Sequence, residues 1–237
     1  MATVPTGRME RELRSLFLRW LAGLPAQQDL TAYVALFEQQ SRELIARLGG
    51  HAASLGALGD FPAPKRLELS PVAGVIYNSM EQAAIQAGLI AGLASTDTAK
   101  QMLLTGIGKG FNRLTRLART ETTNAYWRNT WDSVRDLPNI VLLWSSETSK
   151  RTCDWCKERD GLVVEDPSIR DHPNGRCTLV AKTRSLVDYR GTLRPDGSIY
   201  MDPKWGGSGV AKIPTVDGKA RAAAQGVPAA TPIEGAS

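Results

Sequence analysis

The chain has 237 residues, 42% of them hydrophobic and 22% charged, with a formal net charge of +5. That balance fits a globular protein of one medium domain or two small ones. No run of about 18 apolar residues is present to span a membrane, and the opening MATVPTGRMERELRSLFLRW lacks the apolar segment and small-residue cleavage site of a secretion signal. The positive charge suits contact with a polyanion but does not by itself specify one.

Residues 8–48 read as helix. Leu13, Leu16, Phe17, Trp20, Leu21 and Leu24 recur at helical spacing, and Pro25 interrupts the pattern. A second stretch from about Leu30 to Leu48 carries Tyr33, Val34, Phe37, Leu44 and Ile45, and Gly49-Gly50 is expected to end it. Residues 50–69 look like loop. Pro71 opens a third helical stretch running to about Leu93, and Thr96 or Asp97 is placed to cap a fourth. That fourth segment, one helix or a pair broken near Gly106–Gly110, runs to about Asp136. On it, Arg113, Arg116 and Thr120 share one face, and Phe111, Leu114, Leu117 and Ala118 share another.

The character changes at Pro138. Ile140 to Trp144 is a strand candidate, Asp160-Gly161 a turn, Leu162-Val163-Val164 a second strand and Thr178 to Ala181 a third. Pro195-Asp196-Gly197 marks a turn that could close a hairpin ending at Ile199-Tyr200-Met201. From about Gly206 the chain is Gly, Ala, Pro and Thr with few large apolar groups, and reads as a flexible tail. The expected fold class is therefore α+β. A helical region over 1–137 precedes a small β-rich Cys/His module over 138–184, and an irregular, largely flexible tail covers 185–237.

All three cysteines lie within residues 153–177, together with one of the two histidines. Cys153 and Cys156 form a C-x2-C pair, and His172 and Cys177 return after the Asp160-Gly161 and Pro173-Asn174-Gly175 turns. Thiolate and imidazole are the preferred ligands of tetrahedral zinc, and four such ligands close the shell to water and substrate. A closed shell is structural, and a module of about forty residues with little core of its own needs such a staple. A Cys153–Cys156 or longer-range disulfide, or simple burial of the thiols, are the other readings. An endonuclease of the His-Asn-His type would need a further His and Asn to hold a catalytic metal. No His follows Cys177, and His51 lies far upstream.

The order of features resembles one family. Ala118-Arg119-Thr120-Glu121 sits on a helix, and a strand ends in Trp144 some twenty residues later. The C-x2-C pair follows with Asp160-Gly161 behind it, and His172-Pro173-Asn174-Gly175-Arg176-Cys177 closes the segment. Over about residues 110–182 this is similar to the phage Mu protein F-like family of head morphogenesis, or minor head, proteins. Gly175 stands where that family carries a cysteine, and the family's acidic position before the first C-x2-C appears as Glu147.

The resemblance implies a non-enzymatic minor capsid protein of a tailed double-stranded DNA phage. It would lie inside the head near the portal and act in capsid assembly and in DNA packaging or ejection, meeting the host cytoplasm during assembly. Its implied partners are the portal protein and the major capsid protein, with no membrane and no small-molecule substrate. Arg119, Thr120, Glu121, Trp144, Asp160, Gly161 and Pro173 would be structural members of the motif. Arg119 and Glu121 are expected to form an internal ion pair or a strut from helix to module. Residues 97–128 hold six Lys/Arg against two acidic residues, so Lys109, Arg113 and Arg116 are candidates for contact with the portal or with packaged DNA. The alternative reading is a DNA-binding protein of the head interior.

Overall fold

The computed structural model describes residues 3–24, 29–91, 96–147, 149–150, 152–173 and 175–205, with only the backbone described at 87–91, 96–100, 102, 103 and 203. Helix α1, Gly7–Gly23, buries Met9, Leu13, Phe17 and Trp20, a spacing of three and four that puts them on one face. Helix α2, Leu30–Ser54, starts where the Asp29 carboxylate accepts a hydrogen bond from the Ala32 N–H at 2.9 Å. Helices α3, Val72–Ala91, and α4, Thr96–Val134, complete the helical layer. Their shared core centres on Phe37, Ile45, Tyr77, Met80, Ile107 and Leu114. Phe17 of α1 stacks on Phe111 of α4 with ring centroids 4.0 Å apart.

Past α4 the chain forms a five-stranded sheet with order β3-β1-β2-β4-β5. Its strands are β1 (Ile140–Ser145), β2 (Val163–Val164), β3 (Thr178–Thr183), β4 (Thr192–Leu193) and β5 (Ile199–Tyr200). β1 lies second in that order and is antiparallel to both neighbours, with Leu142 opposite Ala181 on one side and Val164 on the other. Leu142, Leu143 and Trp144 are consecutive and all buried. An unbroken apolar run of this kind belongs to a strand covered on both faces. A second core forms against the last turns of α4, from Trp127, Val134, Leu142, Trp144, Leu162, Val164 and Leu179. The α+β class and the order of helices, sheet and Cys/His cluster are as expected.

Three details differ from the sequence reading, and α4 takes the first of the two forms that reading left open. Helix α2 does not stop at Gly49-Gly50 but runs on to Ser54. These glycines give room rather than an end: a Cβ on Gly50 would lie 2.3 Å from the Lys65 carbonyl oxygen. The 65–67 segment docks there, with the Leu67 N–H bonded to the Ala46 carbonyl at 2.9 Å. Helix α4 is unbroken through Gly106–Gly110, and Gly110 admits Met80, whose Cγ would be 2.3 Å from a Cβ there. A short helix α5, Asp154–Arg159, carries the C-x2-C pair between β1 and β2.

The expected tail begins too early in the sequence reading. Residues 185–205 are built into the fold, because β4 pairs in parallel with β2 and the predicted Pro195-Asp196-Gly197 turn closes β4 onto β5. The rest of the expected tail, 206–237, lies outside the described residues, as do the side chains of the Thr96 and Asp97 cap candidates.

Gly50→Ala separates the two readings of the glycine pair by sign. In an unpacked helix interior, Ala for Gly stabilises by about 0.5–1 kcal/mol. Here the added methyl displaces the 65–66 backbone, and we expect a loss of about 1–3 kcal/mol in urea unfolding. A stabilised variant would contradict the close approach.

Candidate metal centre

Helix α5 begins with Cys153 in its N-cap position, and one turn of helix separates it from buried Cys156. His172 and Cys177 arrive on the segment leading into β3. Trp127 of α4 anchors that segment, its indole N–H donating to the Cys177 carbonyl at 3.0 Å. Gly161, at φ +79°, turns the chain from α5 into β2. Beside it the Asp160 carboxylate accepts from the Ser146 N–H at 2.7 Å and the Ser146 hydroxyl at 3.0 Å. Indoles and imidazole form a chain of ring contacts into the cluster. Trp127 meets Trp144 at 4.8 Å, Trp144 meets Trp155 at 5.3 Å, and Trp155 meets His172 at 5.5 Å between centroids. Trp144 is the buried core residue expected of it, and Trp155 is half-buried.

The sulfurs and ring nitrogen converge, but not as a simple set of four. Cys153, Cys156 and His172 form one group whose donor atoms lie within 4.8 Å of one another, and Cys156, Asp171 and Cys177 form a second. Cys156 is common to both. The Cys153 Sγ to His172 Nε2 separation is 3.4 Å. Two ligands at 2.0–2.3 Å on one tetrahedral ion stand about 3.5 Å apart, so this edge already has the right length. The cluster of Cys153, Cys156, His172, Asp171 and Cys177 can hold a metal ion.

The electrostatics are those of acidic groups crowded together and buried. A hydrogen bond with the Cys177 thiol, together with burial and the nearby Asp171 charge, pushes the Cys156 thiol far above its ordinary range. A nucleophilic cysteine needs the opposite shift. Burial likewise raises the Asp171 carboxyl. Asp171 is the candidate ligand that the sequence reading missed.

Other motif residues serve as anchors. Arg119 and Glu121 do not pair with each other, because residues two apart on a helix point to different sides. Instead the Arg119 Nε donates to Glu10 of α1 at 2.7 Å, with a second contact from its Nη2, while Glu121 accepts from the Ser70 N–H at 3.1 and 3.2 Å. Arg119 also lines a cavity of about 390 Å³ that it shares with Glu147, Arg176 and the Cys/His cluster. The helix motif and the cysteine motif, far apart in sequence, thus border one space. The Thr120 hydroxyl bonds back to the Arg116 carbonyl at 2.9 Å, and the Pro173 carbonyl lies 3.1 Å from His172 Nδ1. Glu147 meets Arg176 at 3.4 Å.

Lys109, Arg113 and Arg116 sit on the outer face of α4, exposed and without an ion pair among the described residues. The remaining histidine, His51, is exposed in the last turn of α2. No described helix is long and apolar enough to cross a membrane. Compared with known protein families, curated proteins and solved structures, the chain matches none.

The Arg119–Glu10 pair carries a pH signature. Burial alone would raise the Glu10 carboxyl, but hydrogen bonds from Arg119 and Thr6 outweigh it and hold the group below its usual 4.5. A depressed carboxylate adds stability above its unfolded value and loses it as pH falls through the folded one. Arg119→Ala is therefore expected to cost about 3–5 kcal/mol at pH 7, with the penalty shrinking as pH falls below the carboxylate range. Urea unfolding of both proteins between pH 7 and pH 3 measures it.

Proposed function

We propose that this chain is a minor capsid, or head morphogenesis, protein of a tailed double-stranded DNA phage. In this reading it sits inside the head near the portal and acts in assembly and in packaging or ejection of DNA, as a structural protein rather than an enzyme. One observation carries the reading. Four of the residues by which the sequence resembles the phage Mu protein F-like family brace one element against another. Arg119 ties α4 to α1, and Glu121 ties α4 to the start of α3. Trp144 fills the sheet core, and Asp160 ties the turn after α5 to the end of β1. A motif built of braces suits a protein whose task is to hold a shape between partners.

The ion that we assign to the Cys/His cluster is zinc in a structural role. Soft thiolates with one imidazole are its usual surroundings. The second core is small, and bringing His172 and Cys177 back onto α5 through one ion would close it. The partners in this reading are the portal protein and the major capsid protein.

Co-expression with the portal and major capsid proteins of the same phage tests the proposal. The chain is expected to copurify with procapsids that contain the portal and to be missing from shells assembled without it. Absence from both kinds of particle would refute the assignment.

The exposed Lys109, Arg113 and Arg116 favour a second reading, a DNA-binding protein of the head interior. Removing a side-chain cation that meets a phosphate weakens binding and flattens its salt dependence. The purified chain should then shift double-stranded DNA at low salt, with the shift abolished on changing Arg113 and Arg116 together to Ala. No binding at low salt rejects this reading and leaves the first intact.

A further inference from the structure

The sequence-predicted ligands leave one buried charge unexplained. The Asp171 side chain is only 2% exposed. Its carboxylate accepts from the His172 N–H at 2.8 Å and from the Cys177 N–H at 2.9 Å. Those bonds use about half of its acceptor capacity. The rest faces the cluster, with Oδ1 at 3.9 Å from the Cys156 Sγ and 3.9 Å from the His172 Nε2. Among the described residues no Lys or Arg pairs with it. An acid this deep must hold a proton or have a cation nearby, and a metal ion at the cluster is a cation its free face can meet.

Gly175 shows that the space is reserved for that carboxylate. A Cβ at position 175 would fall 1.9 Å from Asp171 Oδ2 and 2.1 Å from its Cγ. The backbone itself does not demand glycine, since Gly175 is not among the glycines with positive φ. Glycine is needed because the acid fills the volume that any side chain at 175 would enter. That volume borders the cavity that Gly175 lines together with Cys153, Cys156, His172 and Cys177.

We infer that Asp171 is a ligand of the metal ion at this centre, an oxygen donor beside Cys156 and Cys177 in space that Gly175 leaves open. The inference rests on the metal-binding reading above and changes its chemistry. The shell becomes a mixed sulfur, nitrogen and oxygen set, and positions 171 and 175 become interchangeable sources of one donor. With Asp171 removed, a cysteine at 175 can reach the same place.

The test titrates zinc alone, and separately cobalt(II) alone, into the chelator-stripped full chain and two variants. The parent is expected to take up one ion. Asp171→Asn keeps the shape but removes the anionic donor. It should weaken zinc binding by about 10-fold or more and alter the cobalt ligand-field bands. The double variant Asp171→Ala/Gly175→Cys should recover tight binding with a stronger thiolate-to-cobalt band than the parent. It also carries the test should Asp171→Asn fail to fold. A parent-like cobalt spectrum in Asp171→Asn, at any affinity, overturns the ligand assignment and leaves the metal reading standing. So does a double variant with no added thiolate band. A parent that takes up no metal overturns both.

Discussion

Helix α4 is the constraint on which the rest of the structure depends. At 39 residues and about 1.5 Å per residue, it is long enough to belong to two cores at once. Ile107, Leu114 and Ala118 lie in the helical core, and Trp127 and Val134 lie in the sheet core. A helix in two cores fixes their relation without a domain linker. The changeover between them is marked by Arg119, Thr122 and Thr123, polar residues that are buried on the same helix. Arg119 reaches back to α1 there, while Trp127, two turns on, reaches forward to the Cys177 carbonyl.

This arrangement makes the Cys/His cluster a matter of architecture. The strands beside it are short: β2, β4 and β5 have two residues each. So few ladder hydrogen bonds cannot hold α5 and the 171–177 segment in place alone. Two things do so instead, namely the indole chain from Trp127 to His172 and the convergence of five donor groups. An ion binding there would join α5 to the start of the edge strand β3. The Cys177 hydrogen bond and burial raise the Cys156 thiol, the opposite of the shift that a nucleophilic cysteine needs.

Much of the fold is legible in the sequence because the helices carry long apolar stripes. The stripe of α1 and the Phe111, Leu114, Ala118 face of α4 read directly as core. The β1 run reads as a strand because it is β-branched or apolar throughout. What is not legible depends on contacts remote in sequence. Gly50 looks like a stop signal until the 65–66 backbone is seen lying against it. The β4 strand has too few residues to show a period, and its parallel pairing with β2 joins residues about thirty apart. Four of the five donor groups are legible as a Cys/His pattern. Asp171 is not, because aspartate is common on surfaces and only burial marks it. The faint signal was Gly175, a glycine at a position where the resembling family carries a cysteine.

Amide hydrogen exchange on the protein with zinc added and after chelator treatment tests most directly whether the sheet core depends on a metal bound at the cluster while the helical core does not. The account predicts that chelation strips protection from β1, β3 and residues 153–177. Helices α1 and α2 and the 107–118 part of α4 should keep theirs. Unchanged protection across 140–183, or a loss spread evenly into α1 and α2, would contradict it.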